Sequence, residues 1–160
     1  MDIREAVPDD NDALKELQAK CPQDTDLIVS VVNSPDFFAR AKAYELYKVY
    51  IAYEGNKILG SAGCGFRNVI VNGKVRRVGY GFQAFVVPEH RRKGVASQLH
   101  QHCEDYAVQQ GAVLFYILVL ENNRPAMRYT ERRGFKLHRT VVMPGLAVYK
   151  TKPLKNVNFC

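Results

Sequence analysis

Apolar positions recur along the chain with two different periods, and the switch between them divides the sequence. Residues 2–7 read as a first strand; after Pro8, Asp9 or Asp10 caps a helix whose apolar residues Ala13, Leu14, Leu17 and Ala19 end before Pro22. A second helical stretch is expected at 24–32. A third starts at Ser34-Pro35-Asp36 and runs through Phe37, Phe38, Ala41 and Leu46, because proline is tolerated in a first helical turn. From Tyr47 the period becomes two. Residues 47–53 form a strand turned by Gly55-Asn56, 58–70 a second, and 75–87 a third reached through the hairpin pair Asn72-Gly73, giving an antiparallel meander.

Pro88 ends the meander, and the helical period returns at 94–110, with Val95, Leu99, Cys103, Tyr106 and Ala107 on one face and Gly111 as a left-handed stop. Residues 112–120 are apolar on both faces, the pattern of a central strand covered on two sides. A helix at 124–133 leads to Gly134-Phe135, and strands at 136–142 and 146–150 complete the sheet. The predicted fold is a single α/β (α+β) domain over residues 1–152, with a mixed, mostly antiparallel sheet flanked by helices; residues 153–160 read as a short tail.

Composition narrows the partners. At 160 residues with 47% hydrophobic content the chain can bury a full core, and 23 Lys and Arg against 16 Asp and Glu leave a net +7 that suits an anionic partner. No apolar run reaches the 18 or so residues of a spanning helix and the acidic start is no signal peptide, so a cytoplasmic protein without a membrane partner is expected. Cys21, Cys64, Cys103 and Cys160 are scattered and read as free, packed thiols. His100 and Cys103 share a helix face at i and i+3, but no further ligand cluster accompanies them, so no metal is expected. The bases lack the aromatic interleaving of a nucleic-acid surface, and no nucleic-acid partner is expected.

The segment Val86-Val87-Pro88-Glu89-His90-Arg91-Arg92-Lys93-Gly94-Val95-Ala96 carries the chemistry. A strand ends in a basic turn and a helix starts at small residues, so unpaired N–H groups and the helix dipole face an anion that Gly94 and Ala96 allow to come close. Arg91, Arg92 and Lys93 add full charges. No Gly-Lys-Ser/Thr follows, and the meander is no parallel βαβ unit, which excludes the common nucleotide loops.

This segment, the later Asn123-x-x-Ala126 to Gly134-Phe135 stretch and the order of elements together resemble the GNAT superfamily of N-acetyltransferases. The resemblance implies a sheet splayed at the cofactor site and acetyl-CoA as co-substrate, its pyrophosphate on the backbone of Arg92, Lys93, Gly94, Val95, Ala96 and Ser97. It further implies a pantetheine arm paired along Phe85, Val86 and Val87, with Asn123 facing it. Arg124 and Arg128 either serve the 3′-phosphate or form a solvated helix face.

The implied activity is direct attack of a primary amine on the thioester. The amine belongs to a small molecule or to a protein or peptide; Phe37, Phe38, Tyr44 and Phe66 either line its pocket or form core, and a homodimer stays open. The family's proton-donating Tyr, four residues before Gly-Phe, falls here on Thr130; Tyr129, one place earlier and rotated by about 100° on a helix, is the candidate general acid or a packing residue. Gln83 stands where many relatives carry an acid. Glu45, Glu54 and Tyr80 are the remaining candidate bases, none with a spacing argument, so the general base stays unassigned. A non-catalytic acyl-CoA-binding module and a basic nucleic-acid-binding domain are the alternatives.

Overall fold

The computed structural model describes residues 1–22 and 33–142. Five strands form one sheet in the order β1 (Asp2–Glu5), β2 (Leu46–Glu54), β3 (Lys57–Val71), β4 (Lys74–Val86) and β5 (Leu114–Ile117). The first four pair antiparallel, and β5 runs parallel to β4. The meander follows from its turns: Gly55, Asn72 and Gly73 all take positive φ, which closes both hairpins tightly.

Helix α1 (Asn11–Ala19) covers one face of the sheet and α2 (Val95–Gln109) the other. Leu14 and Leu17 of α1 pack with Phe37, Phe38, Val49, Ile51, Tyr80, Phe82 and Val87. Val95, Leu99, Cys103 and Ala107 of α2 pack with Ala52, Ala62, Cys64 and Phe66. The α2 layer matches the helix face read from the sequence; on α1 Leu14 and Leu17 are buried while Ala13 and Ala19 are exposed, and Cys21, Cys64 and Cys103 are free, buried thiols within the two layers. Helix α3 (Arg124–Arg132) lies on α2, where Arg133 forks onto Glu104 with Nη2–Oε2 at 2.6 Å and Nε–Oε1 at 3.2 Å.

Three expected elements differ. The helix starting at Ser34 is instead a pair of single 3-10 turns, Phe37–Ala39 and Ala41–Ala43. The Asp36 carboxylate accepts from Phe38 N–H at 2.9 Å, which caps the first turn, and both Phe37 and Phe38 are buried. Residues 112–120 do not form one long strand: only Leu114–Ile117 is a strand, among the described residues it pairs with β4 alone, and Leu114 and Tyr116 are exposed. Residues 136–142 form no strand, because among the described residues nothing pairs along the outer edge of β5, and Leu137 and Val142 are exposed. The helix expected at 24–32 and the strand at 146–150 lie outside the described residues, as does Cys160.

Candidate functional site

Strand β4 is interrupted where it matters most. Ser61 pairs with Phe85 but Gly63 pairs with Phe82, so two residues of β4 face one of β3, and Gln83 takes φ +50° inside this bulge. The extra residue shifts the phase of the strand: Tyr80 and Phe82 before it, and Phe85 and Val87 after it, all face the α1 layer. Pairing between β4 and β5 stops at Gly81–Ile117, although β4 continues to Val86. The sheet therefore splits beyond Gly81, and among the described residues no strand pairs with that edge of the lower β4.

The backbone in this split is offset by one residue from the sequence expectation. Val87 N–H donates to Leu59 O at 2.9 Å, so its amide is already engaged with β3. Alternation along a strand then turns the N–H and C=O of Ala84 and Val86 toward the gap, in place of those of Phe85 and Val87. In keeping with this, Val86 O accepts from Arg91 Nε at 3.2 Å instead of from β3. Burial pushes the neighbouring Cys21 thiol above its ordinary value, opposed by Arg91 and by the Val86 amide.

Immediately after the split comes the basic turn. Arg92 (φ +62°) and Gly94 (φ +83°) are both left-handed, and Gly94 is the N-cap of α2. Gln98 N–H donates to Gly94 O at 3.1 Å, whereas among the described residues the N–H groups of 92–97 have no acceptor. A methyl group at Gly94 would meet only Gln98 Nε2, at 3.9 Å, so the cradle is open to solvent. Arg91, Arg92 and Lys93 are exposed around it. A row of free amides at a helix start with three bases beside it fits a doubly charged pyrophosphate.

The remaining site residues separate. Asn123 Oδ1 caps α3 by accepting from Ala126 N–H at 3.2 Å. Arg124 and Arg128 are exposed on α3. Tyr129 is turned toward α2: its ring meets His100 edge-on at 5.3 Å, Ser97 lies beside its hydroxyl, and that hydroxyl is buried without a partner of hydrogen-bonding geometry. Burial holds the phenol above its ordinary pKa, opposed by Arg133 and Ser97, so it keeps its proton at neutral pH. Thr130 is buried with Oγ1 donating to Met127 O at 2.9 Å. His100 and Cys103 diverge, His100 toward Tyr129 and Cys103 onto Cys64.

The candidate bases are not gathered at the split. Glu54 pairs with the N-terminal amine at 3.6 Å on the β1 side of the sheet, and Glu45 is exposed. Tyr80 is buried, which raises its pKa against the opposing Arg40, and its hydroxyl accepts from Arg40 Nη2 at 2.6 Å, so it stays neutral and is no base. Gln83 is buried; its Nε2 donates to Phe37 O at 2.9 Å and its Oε1 has no partner.

Around the bulge lies an aromatic layer. Tyr44 stacks on Phe82 at 5.7 Å, and Tyr80 on Tyr116 at 4.9 Å. The rings rest on the backbone of β3 because Gly63 and Gly65 offer no side chain: a methyl at Gly63 would come within 2.6 Å of Phe82, and one at Gly65 would collide with Tyr44. Phe66, by contrast, faces α2 and stacks edge-on with Tyr106. The sequence pointed to small residues on β3 but not to the rings they admit, and nothing in it singled out Arg40.

The sequence matches the acetyltransferase (GNAT) family over residues 11–135. The chain belongs to the GNAT acetyltransferase family. Solved structures share this GNAT fold. A putative acetyltransferase from Agrobacterium tumefaciens is 18% identical with a TM-score of 0.73, covering 91% of this chain and 100% of that one. The aminoglycoside antibiotic 6'-N-acetyltransferase from Acinetobacter haemolyticus is 22% identical with a TM-score of 0.68, covering 92% and 99%. A further structure, an aminoglycoside acetyltransferase in complex with a CoA-linked bisubstrate analogue, is 20% identical with a TM-score of 0.70, covering 92% and 98%. Among curated proteins none matches the sequence significantly. Among the described residues no helix is long and apolar enough to cross a membrane.

Proposed function

We propose that this GNAT protein transfers the acetyl group of acetyl-CoA to a primary amine. The observation that carries the reading is the continuity of two features: the free amides of 92–97 at the start of α2, and the edge of β4, unpaired among the described residues, that leads from them to the bulge at Gln83. The pyrophosphate lies on the amides, with Arg91, Arg92 and Lys93 as counter-charges. Ala84 offers the strand edge to the pantetheine amides, beside Val86, whose carbonyl already accepts from Arg91 Nε, and the Asn123 side-chain amide, whose oxygen is spent on its cap, offers its N–H groups from the α3 side.

The bound cofactor supplies an activated acyl group on a thiol of pKa about 8.5, which leaves without strong acid assistance. Tyr129, protonated and unpartnered between α2 and α3, is the proton donor this chain offers. The amine needs more help, since its neutral form lies on the order of 4–5 kcal/mol above the ammonium at pH 7. Glu54 is engaged on the β1 side and Tyr80 stays neutral, so neither takes the proton, which leaves to water.

Calorimetric titration tests the cofactor site. Acetyl-CoA should bind about a hundredfold or more tighter than S-acetylpantetheine, which lacks the pyrophosphate that the amides and bases are built to hold. Equal affinities would remove the cradle from the account.

A further inference from the structure

Resting on the reading of the split as the acetyl site, we propose that the acceptor is a small amine that also carries a carboxylate, an amino acid, with its carboxylate on Arg40 and its amine at the β4 bulge. The acceptor must reach the top of the split on the α1 face, where Tyr80 and Phe82 border it. Arg40 is exposed and lies over both rings, 5.4 Å from the Tyr80 centroid and 5.5 Å from that of Phe82. One Nη2 N–H is spent on the Tyr80 hydroxyl at 2.6 Å, which fixes the plane of the guanidinium. Its remaining N–H groups present the flat fork that a carboxylate takes bidentately.

The charges on this face point the same way. Lys42 is neutralised by Asp36 at 2.6 Å. Arg40 has no carboxylate within 4 Å among the described residues, nor has Arg67, which lies 4.6 Å over the Tyr44 ring. A face with two guanidiniums uncompensated among the described residues repels a polycation and attracts an anionic group. Beside it, Gln83 Nε2 donates to Phe37 O at 2.9 Å, which ties the bulge to the turn that leads to Arg40. A fixed cation close to the bound amine also disfavours its ammonium form, which assists proton loss.

The test is a thiol-release assay with acetyl-CoA in which the standard L-amino acids are each paired with their carboxamides, and spermidine serves as the polycation. For the best amino acid, kcat/KM should fall about tenfold or more in its amide, with spermidine lower still. Arg40→Gln should draw the acid-to-amide ratio toward one by raising KM for the acid, while calorimetry shows acetyl-CoA bound as in the wild type. Amides or spermidine turned over as well as the acids, or acetyl-CoA bound with no amino acid acetylated, would overturn the acceptor assignment and leave the cofactor site standing. Failure to bind acetyl-CoA at all would remove both.

Discussion

The side-chain amide of Gln83 donates to the main-chain carbonyl of Phe37 at 2.9 Å, tying the bulge of β4 to the turn that carries Phe37, Phe38 and, one step on, Arg40. The bond joins the strand that would hold the acyl group to the segment that would hold the acceptor. Gln83→Ala should cost about 1–3 kcal/mol in urea unfolding, because a buried carbonyl loses its donor. It should also raise acceptor KM more than it weakens acetyl-CoA binding. Equal effects on both would mean that the bulge and the turn are not coupled in this way.

Gly94 is open space with a constrained backbone, and the two facts separate stability from binding. At φ +83° a side chain is strained, so Gly94→Val should destabilise by about 1–2 kcal/mol. It should also weaken acetyl-CoA about tenfold in calorimetry by displacing the amides of 92–97. Unchanged affinity would show that those amides do not hold the cofactor.

On β3, adding one methyl tests the aromatic bed. Gly63→Ala brings a carbon within 2.6 Å of the Phe82 ring, and overpacking of this kind costs about 1–3 kcal/mol. Because Phe82 borders the top of the split, acceptor KM should rise with it, read from the same thiol-release assay.

Tyr129→Phe removes a protonated hydroxyl from beside Ser97. With a good leaving thiol, kcat should fall by less than about tenfold near neutrality. Activity identical across the whole pH range would return Tyr129 to a packing role against His100.

Acid sensitivity has a specific contributor. Arg4 donates to Asp10 from Nη1 at 2.7 Å and from Nη2 at 2.8 Å, and Val7 N–H adds 2.8 Å, holding the Asp10 carboxyl below its usual range against the opposing effect of burial. Its folded pKa is depressed, so the pairing stabilises above the unfolded value of about 3.9 and is lost as pH falls toward the folded one. Asp10→Asn should therefore destabilise by about 1–2 kcal/mol at pH 7 and converge with the wild type once the pH falls below the depressed folded pKa.

What the sequence revealed was local. The hairpin glycines, the helix faces of Leu14 and Leu99, and the basic turn before Val95 each depend on neighbouring residues, and each was legible from them. What it hid depended on pairing. The bulge at Gln83 shows only as a shift in register against Ser61 and Gly63, and that shift moved the free strand edge from Phe85 and Val87 to Ala84 and Val86. Residues 112–120 read as a central strand because apolar composition signals burial, while position in a sheet is set by partners elsewhere in the chain. Arg40 carried no pattern at all, since its place over Tyr80 and Phe82 joins residues some 40 apart.

The most direct measurement of the central claim is the release of free CoA thiol from acetyl-CoA, followed together with the mass of the amine across a panel of acceptors. Thiol should appear only when an amine is present and in step with the acetylated amine, and Gly94→Val should slow it. Acetyl-CoA bound by the protein with no amine-dependent thiol release from any acceptor would contradict acetyl transfer and leave an acyl-CoA-binding protein in its place.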